Sequence, residues 1–396
     1  MAMRLTHVLD EQTHEDGVRL LSLLLQLMPA GRVEQRVIVM GRTPATLRPP
    51  PGVEVSRIAR RFNWPLAGGP DLRRMLGRHR PDLVHGWGAD AAAVAAAVRP
   101  GQCPMVTTIS DPADAGRSGR WWPGTAAGRN QATGHKTGAA ENLPREQEKA
   151  LVPRTAGRAG GAGDVLCSSR LVQRRLVQSG IPLEATTVIR PGVDSAAIGR
   201  AKQTFRRSDL GLPPEGRVLL TASPPSRAGG QYYAIWAAAI LHQVWPDACL
   251  VVPGTSREQR RLARFVERIY CPQIYFFTGD RYSPAELLAV SDMLVVPAVD
   301  DVPTAWLAWA MSASVPIVGS AVPAVTELIT DRQNGFLCEP GAPQTLATGI
   351  RSAAESGDTA RQCVEAARTQ ARELFSARPC VDRYLEVIER SDRPLY

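Results

Sequence analysis

The chain has 396 residues, 44% of them hydrophobic, which is too long for one ordinary domain and apolar enough for two cores. Lys and Arg outnumber Asp and Glu by 47 to 38, a formal net charge of +9. That balance favours an acidic partner (a nucleotide diphosphate, anionic lipid headgroups or nucleic acid), although Arg-rich surface helices produce the same surplus with no partner at all. The seven cysteines have no CxxC spacing and the six histidines no HxxxH spacing, which argues against a disulfide framework and a metal site and for reduced, buried thiols.

The first residues, MAMRLTHVLDEQTH, lack the apolar core of a signal peptide. The apolar runs Leu20–Met28 and Ala234–Leu241 fall far short of the ~20 residues a membrane span needs. The expectation is a cytoplasmic protein, with the inner face of the membrane as a surface it touches.

In chain order, Arg4–Leu9 reads as a strand and Val18–Leu27 as a helix. Gln35–Met40 and Val53–Ile58 are strands, and Asp71–Arg80 is a basic helix. Asp82–His85 is a strand ending in Gly86-Trp87-Gly88. The alanine-rich helix Ala91–Val98 and the strand Met105–Ile109 follow. Strands alternating with helices at this spacing make a parallel, doubly wound sheet.

Residues 113–163 break the pattern: Gly, Ala, Arg and Thr dominate, with no sustained period. A segment of this kind is either a mobile connection or functional. Trp121-Trp122 beside Arg117 and Arg120 offers a membrane or sugar contact, or a local packing anchor.

The alternation resumes with the strand Asp164–Cys167 and the helix Ser169–Ser179. Beyond residue 195 come the strands Arg217–Ala222, Cys249–Val252, Ile274–Phe277, Met293–Val296 and Pro316–Val318. Helices at Tyr232–His242, Ser256–Ile269, Pro284–Val290 and Ala305–Ala313 interleave with them. Asn334–Leu337 is a last strand, and helices at Pro343–Ala353, Asp358–Leu374 and Pro379–Ile388 close the chain. In such sheets ligands bind outside the carboxyl ends of the strands. The acidic loop Asp300–Thr304 sits at one such end.

Several of these stretches resemble the group 1 (family 4) retaining glycosyltransferases of the GT-B fold. Pro297, Asp301, Ala310-Met311 and Pro316-Ile317-Val318 fall on that family's strand end, first loop Glu, Ala-Met and Pro-Val-Val. Arg80-Pro81-Asp82-Leu83-Val84-His85 closely matches its Arg-Pro-Asp-x-Val-His strand. Thr187–Asp194, TVIRPGVD, matches its interdomain Val-Ile-Pro-Asn-Gly-Val-Asp.

The resemblance implies two Rossmann-like lobes facing across a cleft: residues 1–194 on the acceptor side, 195–375 for the nucleotide sugar, and a C-terminal helix, 376–396, crossing back. It implies Asp301, Ser110 and Asp111 as catalytic positions, with Ser110 standing where the family has His. It places Gly17, Ser223, Arg227, Gly229, Gly279, Arg281, Thr304, Trp309 and Glu327 around the donor. No metal and no cofactor are implied, the nucleotide sugar being a substrate.

The departures concern charge. The family's Arg and Lys on the diphosphate align with Ser223 and Ala228, and its second Glu aligns with Trp309, which can donate but not accept a hydrogen bond. Of its Gly-Gly pair only Gly17 remains, beside Asp16. Losing three charge-assisted hydrogen bonds costs roughly 6 kcal/mol, on the order of 10⁴ in rate or affinity.

Two functions therefore stand side by side. One is a transferase moving sugar with retention to a glycan or lipid-linked acceptor of the cell envelope. The alternative is a non-catalytic relative that binds a ligand or partner in the cleft. A nucleoside diphosphate is expected between Ala222–Gly229, Thr278–Arg281 and Asp301–Thr304. No nucleic-acid-reading motif is present.

Overall fold

A computed structural model describes residues 2–11, 13–59, 68–99, 103–118, 164–222, 224–269 and 271–392. Two all-parallel sheets organise it. The first comprises β1 (Met3–Asp10), β2 (Val33–Met40), β3 (Glu54–Ile58), β4 (Leu83–Trp87), β5 (Met105–Ile109), β6 (Asp164–Cys167) and β7 (Thr186–Val188), in the order β3-β2-β1-β4-β5-β6-β7. The second comprises β8 (Val218–Thr221), β9 (Cys249–Pro253), β10 (Tyr275–Gly279), β11 (Met293–Val296), β12 (Ile317–Ser320) and β13 (Phe336–Cys338), in the order β10-β9-β8-β11-β12-β13. This is the α/β architecture of two Rossmann-like lobes.

The strand sequences explain the layering. Helices cover both faces of a parallel sheet, so its strands are apolar throughout rather than alternating. LVHGW in β4, MVTTI in β5, VLLT in β8 and MLVV in β11 are buried at every position. His85 and Thr108 are tolerated there because they bond each other, His85 Nε2 lying 2.8 Å from Thr108 Oγ1.

Each sheet has one place where the strand order reverses. In the first, β1 lies between β2 and β4; in the second, β8 lies between β9 and β11. Crossovers leave such a point in opposite directions and open a crevice at the carboxyl ends of the strands. In the first lobe that crevice lies beside the start of the helix Glu15–Leu27. In the second it lies beside the loops 224–230 and 297–304.

The chain passes between lobes twice, and the two passes lie side by side. Val193 pairs with Ser376, and the Val193 N–H donates to the Phe375 carbonyl at 2.8 Å. Gly192 is needed there: a Cβ would stand 2.9 Å from the Ala377 Cα of the returning pass. The returning helix, Ala377–Asp392, lies on the first lobe. Its Val381, Tyr384, Leu385 and Ile388 join Leu5, Leu24 and Trp87 in one core.

Three local expectations need correcting. Thr186–Val188 is a seventh strand pairing with β6 rather than only a connection, because Thr187 and Val188 extend the sheet before Pro191 stops it. Ser195–Thr204 is a helix, started by the Asp194 carboxylate, which accepts from the Ala196 and Ala197 N–H groups. The basic helix is only Gln259–Val266, shorter than its charge pattern suggests. In the irregular stretch, Pro112–Ser118 is helical; Trp121, Trp122 and Arg120 lie outside the described residues, as does Ser223.

All seven cysteines are free, five of them buried. Burial pushes the Cys249 and Cys338 thiols up to about 11 and Cys380 to about 12, so they stay protonated and unreactive.

Candidate functional site

The lobes meet where the two crevices face each other, through ion pairs and through apolar packing of Leu171 against the second lobe's core. The loop 11–14 brings the first lobe's chain to the helix Glu15–Leu27. The His14 side chain caps that helix, its Nδ1 accepting from the Asp16 N–H at 3.2 Å. Gly17 follows on the buried face, close against the end of β5: a Cβ here would stand 3.0 Å from the Ser110 Oγ. Gly17 and Ser110 are thus brought together, and a side chain here would press on the Ser110 hydroxyl with Thr13 and Trp87 close by.

Asp16 points across the cleft. It is buried and lines one small cavity with Thr304 and Ala305, so it faces the start of the helix Ala305–Ala313 in the second lobe, whose Ala305 N–H favours the ionised carboxylate. A helix N-terminus carries unsatisfied N–H groups and partial positive charge, so an anion is stabilised there. The carboxylate oxygen Oδ2 has no hydrogen-bond partner and lies 3.8 Å from His14 Nδ1.

Burial raises the Asp16 carboxyl above its ordinary value and Asp111 adds to the rise, while His14, Arg19 and the Ala305 N–H oppose it. Burial alone would lower His14, but Asp16, Asp111, Glu15 and Asp114 together hold it above its ordinary value. Asp16, Ser110, Ser168, Thr304 and Ala305 line a cavity of ≈ 10 Å³, about the space of one water molecule.

Two further carboxylates tie the lobes. Asp301 pairs with Arg175 of the first-lobe helix Arg170–Gln178, and its Oδ1 accepts from the Ala324 N–H at 3.2 Å. Glu327, only 7% exposed, accepts from the N–H groups of Arg170 and Leu171 at 3.0 and 2.8 Å and from Arg190 Nη1 at 2.8 Å. It therefore caps the N-terminus of a helix in the opposite lobe, where the family resemblance implies a place around the donor.

Asp111 stays near its own backbone, Oδ1 accepting from the Ala113 N–H at 2.8 Å. Thr304 is buried at the start of the helix Ala305–Ala313 without capping it through its side chain. Trp309 is half-buried against the second lobe's core.

The remaining donor-side positions line the second lobe's strand ends. The Ala228 carbonyl accepts from the Val299 N–H at 2.8 Å, pinning the loop after β8 to the acidic loop. The Gly229 N–H donates to Ser226 Oγ at 2.8 Å. Gly279 has φ +60°, the left-handed region, and its carbonyl accepts from the Gly254 N–H at 2.8 Å. Asp280 closes that pair of loops by accepting from Thr255 N–H at 2.9 Å.

Arg281 is exposed beside the Tyr282 ring. Arg227 is 85% exposed and has only a 4.0 Å approach to Glu258. A diphosphate entering here thus finds two exposed guanidiniums on the second lobe. The residue that sequence reasoning underweighted is Asp16. The signal was a charged residue in the place of the first glycine of a tight turn-to-helix pair.

Comparison with known proteins bears on this arrangement. Residues 18–197 match the Glycosyltransferase Family 4 model, and residues 202–370 match the Glycosyl transferases group 1 model. N-acetyl-alpha-D-glucosaminyl L-malate synthase of Bacillus anthracis is 28% identical over 193 residues, 48% of this chain and 50% of that protein. D-inositol 3-phosphate glycosyltransferase of Jonesia denitrificans is 25% identical over 221 residues, 52% of each. The chain thus spans about half the length of these curated relatives.

Among solved structures, Anabaena HepE in complex with UDP-glucose superposes with a TM-score of 0.73 at 18% identity, covering 98% of this chain and 100% of that one. Sucrose-phosphate synthase from Thermosynechococcus elongatus gives 0.70 at 16% identity, covering 98% of each. Both likenesses concern the fold.

Proposed function

We propose that this chain, which belongs to the group 1 glycosyltransferases, transfers a sugar with retention from a nucleoside-diphosphate sugar to a glycan or lipid-linked acceptor of the cell envelope. The observation that carries the reading is the pair of facing switch points. The loops 224–230, 278–281 and 301–304 and the helix start at Ala305 gather on one side of the cleft, with Gly17 and Ser110 on the other. The UDP-glucose held by the HepE fold relative supports the donor class.

In this reading the helix start at Ala305, Arg227 and Arg281 take the diphosphate charge as it departs. Asp301 accepts from sugar hydroxyls once Arg175 releases it. Asp16 stands at the helix start beside Ala305 and must move aside for the diphosphate to reach it, so donor binding and lobe opening are coupled. The reaction needs no metal in this scheme.

The same geometry favours a second reading. Asp301 and Glu327 are engaged in the protein's own ion pairs, and the cavity beside Asp16 has room for no more than about one water molecule. A non-catalytic relative with a cleft filled by its own carboxylates would look this way. Calorimetry with UDP-, GDP- and ADP-sugars separates the two. Binding by any of them, with slow hydrolysis or transfer in a sugar-release assay, supports the transferase. Absence of heat with all of them supports the non-catalytic protein.

A further inference from the structure

Exposed apolar side chains scattered singly over a surface need no explanation. Those on the helix Gln231–His242 are not scattered. Tyr232, Trp236 and Ile240, with Val244 one turn further on, follow each other at four-residue intervals. They are 45, 39, 39 and 55% exposed. Among the described residues, only Val177, Leu183 and Val299 are other large hydrophobics as open to water. The opposite face of the helix supplies Ala234, Ile235, Ala238 and Leu241 to the core, so the helix is held by packing and does not need its outer ridge for stability.

The neighbouring helix, Gln259–Val266, extends the ridge and gives it charge. Its Phe265 ring lies 4.6 Å from Tyr232 and 5.6 Å from Trp236. Leu262 and Val266 face inward, and Arg257, Arg260, Arg261, Arg264 and Arg268 are all exposed. Only Glu258 and Glu267 offset them between residues 257 and 268. At 100° per residue, Arg261, Arg264 and Arg268 fall on the solvent side next to Phe265.

We propose that this aromatic ridge with its arginine flank docks the second lobe onto an anionic lipid surface. Three features of the patch choose this occupant. Five guanidiniums against two carboxylates complement an anionic plane and repel a second copy of the same patch. Tyr, Trp and Phe beside Arg are the side chains that place an apolar body at the headgroup boundary and a polar end in water. The outer face of a helix is convex, which suits a deformable sheet of headgroups better than a peptide seeking a groove. Tyr232 also stands one residue past the Gly229–Gly230–Gln231 turn at the cleft, so docking would hold the cleft mouth close to the lipid. The proposal does not depend on the chain being a transferase.

Co-sedimentation of the full chain with vesicles tests it. Phosphatidylcholine vesicles containing 30% phosphatidylglycerol are expected to bind the protein at 0.1 M salt, and pure phosphatidylcholine vesicles much more weakly. Replacing Arg261, Arg264 and Arg268 together by Gln is expected to weaken partition roughly 100-fold. Trp236→Ser should weaken it about tenfold, while both variants melt with the wild-type protein.

The fluorescence difference between wild type and Trp236→Phe should shift to the blue on adding the anionic vesicles. Overturning results are equal binding to both vesicle types, partition unchanged in the two variants, or a concentration-dependent dimer in sedimentation velocity that Trp236→Ser abolishes. The last would assign the ridge to self-association.

Discussion

Asp16 concentrates the chemistry of the cleft into one side chain. A carboxylate on a helix N-terminus is favourable, yet its second oxygen is buried without a donor, which costs about 1–3 kcal/mol or more. Because its folded-state value is raised, the folded protein holds this proton more tightly than the unfolded chain does. Its contribution to stability therefore falls as pH rises from the ordinary carboxylate value through the raised one.

Asp16→Asn removes the charge and keeps the acceptor. Thermal melts at pH 7 should show a gain in stability, and nucleotide calorimetry should show affinity rising tenfold or more, since a diphosphate no longer meets a fixed anion. Loss of stability in this variant would mean that the Ala305 contact outweighs the burial cost.

A second residue-scale prediction comes from His7. Trp87 Nε1–H donates to its Nδ1 at 3.2 Å, and its Nε2 faces Gln35 Oε1 at 3.3 Å. With Nδ1 committed as acceptor, the ring is neutral and carries its proton on Nε2. Burial lowers His7 to about 4. The unfolded chain then binds a proton that the folded one refuses, so stability is full above about 6.5 and drains as pH falls towards 4. The difference is about 3 kcal/mol, and His85, lowered by burial and by His7, acts in the same direction. Urea unfolding at pH 7 and 4.5 should show the decline, and His7→Gln should flatten it. An unaltered slope in the variant would place the acid sensitivity elsewhere.

At the scale of elements, the helix Arg170–Gln178 is where the lobes hold each other. Glu327 caps it and neutralises Arg190, which is itself only 12% exposed. Glu327→Ala leaves a buried guanidinium and two helix N–H groups without partners. It should cost about 3–5 kcal/mol in a reversible melt. Glu327→Gln, which keeps one acceptor oxygen and the shape of the side chain, should cost less. If both variants cost the same, charge rather than capping is the larger part.

How far these elements were legible follows from what each one needs. The buried strands announce themselves as apolar runs, and Ala305–Ala313 stands with the bounds read from its sequence because Ser314 and Pro316 stop it. The helix Ser195–Thr204 was missed because AAIGRAKQT has no apolar period; its start depends on the Asp194 cap. The partners of Asp301 and Glu327 were illegible for another reason. Arg175 and Arg190 lie 126 and 137 residues away, and only the docking of two lobes brings those charges together. Gly17 against Ser110 was half-readable: a family likeness named both positions, but their contact belongs to three dimensions.

For the molecule as a whole, two ionic ties between the lobes (Arg175 to Asp301, and Glu327 to Arg190 and its helix), together with the approach of Asp16 to the helix start at Ala305, oppose opening. Arg175→Gln removes one of them at a half-exposed site. It should raise the radius of gyration seen by small-angle scattering and speed proteolysis in the cleft, with little loss of melting temperature. A scattering curve identical to wild type would show that the remaining contacts hold the lobes without Arg175. No helix among the described residues is long and apolar enough to cross a membrane.

The side-by-side passage of the chain at Val193 and Phe375–Ser376 has a mechanical meaning. Two covalent tethers joined by a hydrogen bond behave as the pin of a door rather than as a ball joint, leaving swing about one axis and suppressing twist. Arg190, three residues from that pin, moves on a short lever arm and is the last contact to be stretched. Adding bulk at Gly192, against the Ala377 backbone, would jam the pin itself, and the whole range of swing would shrink without one residue of the crevice being touched.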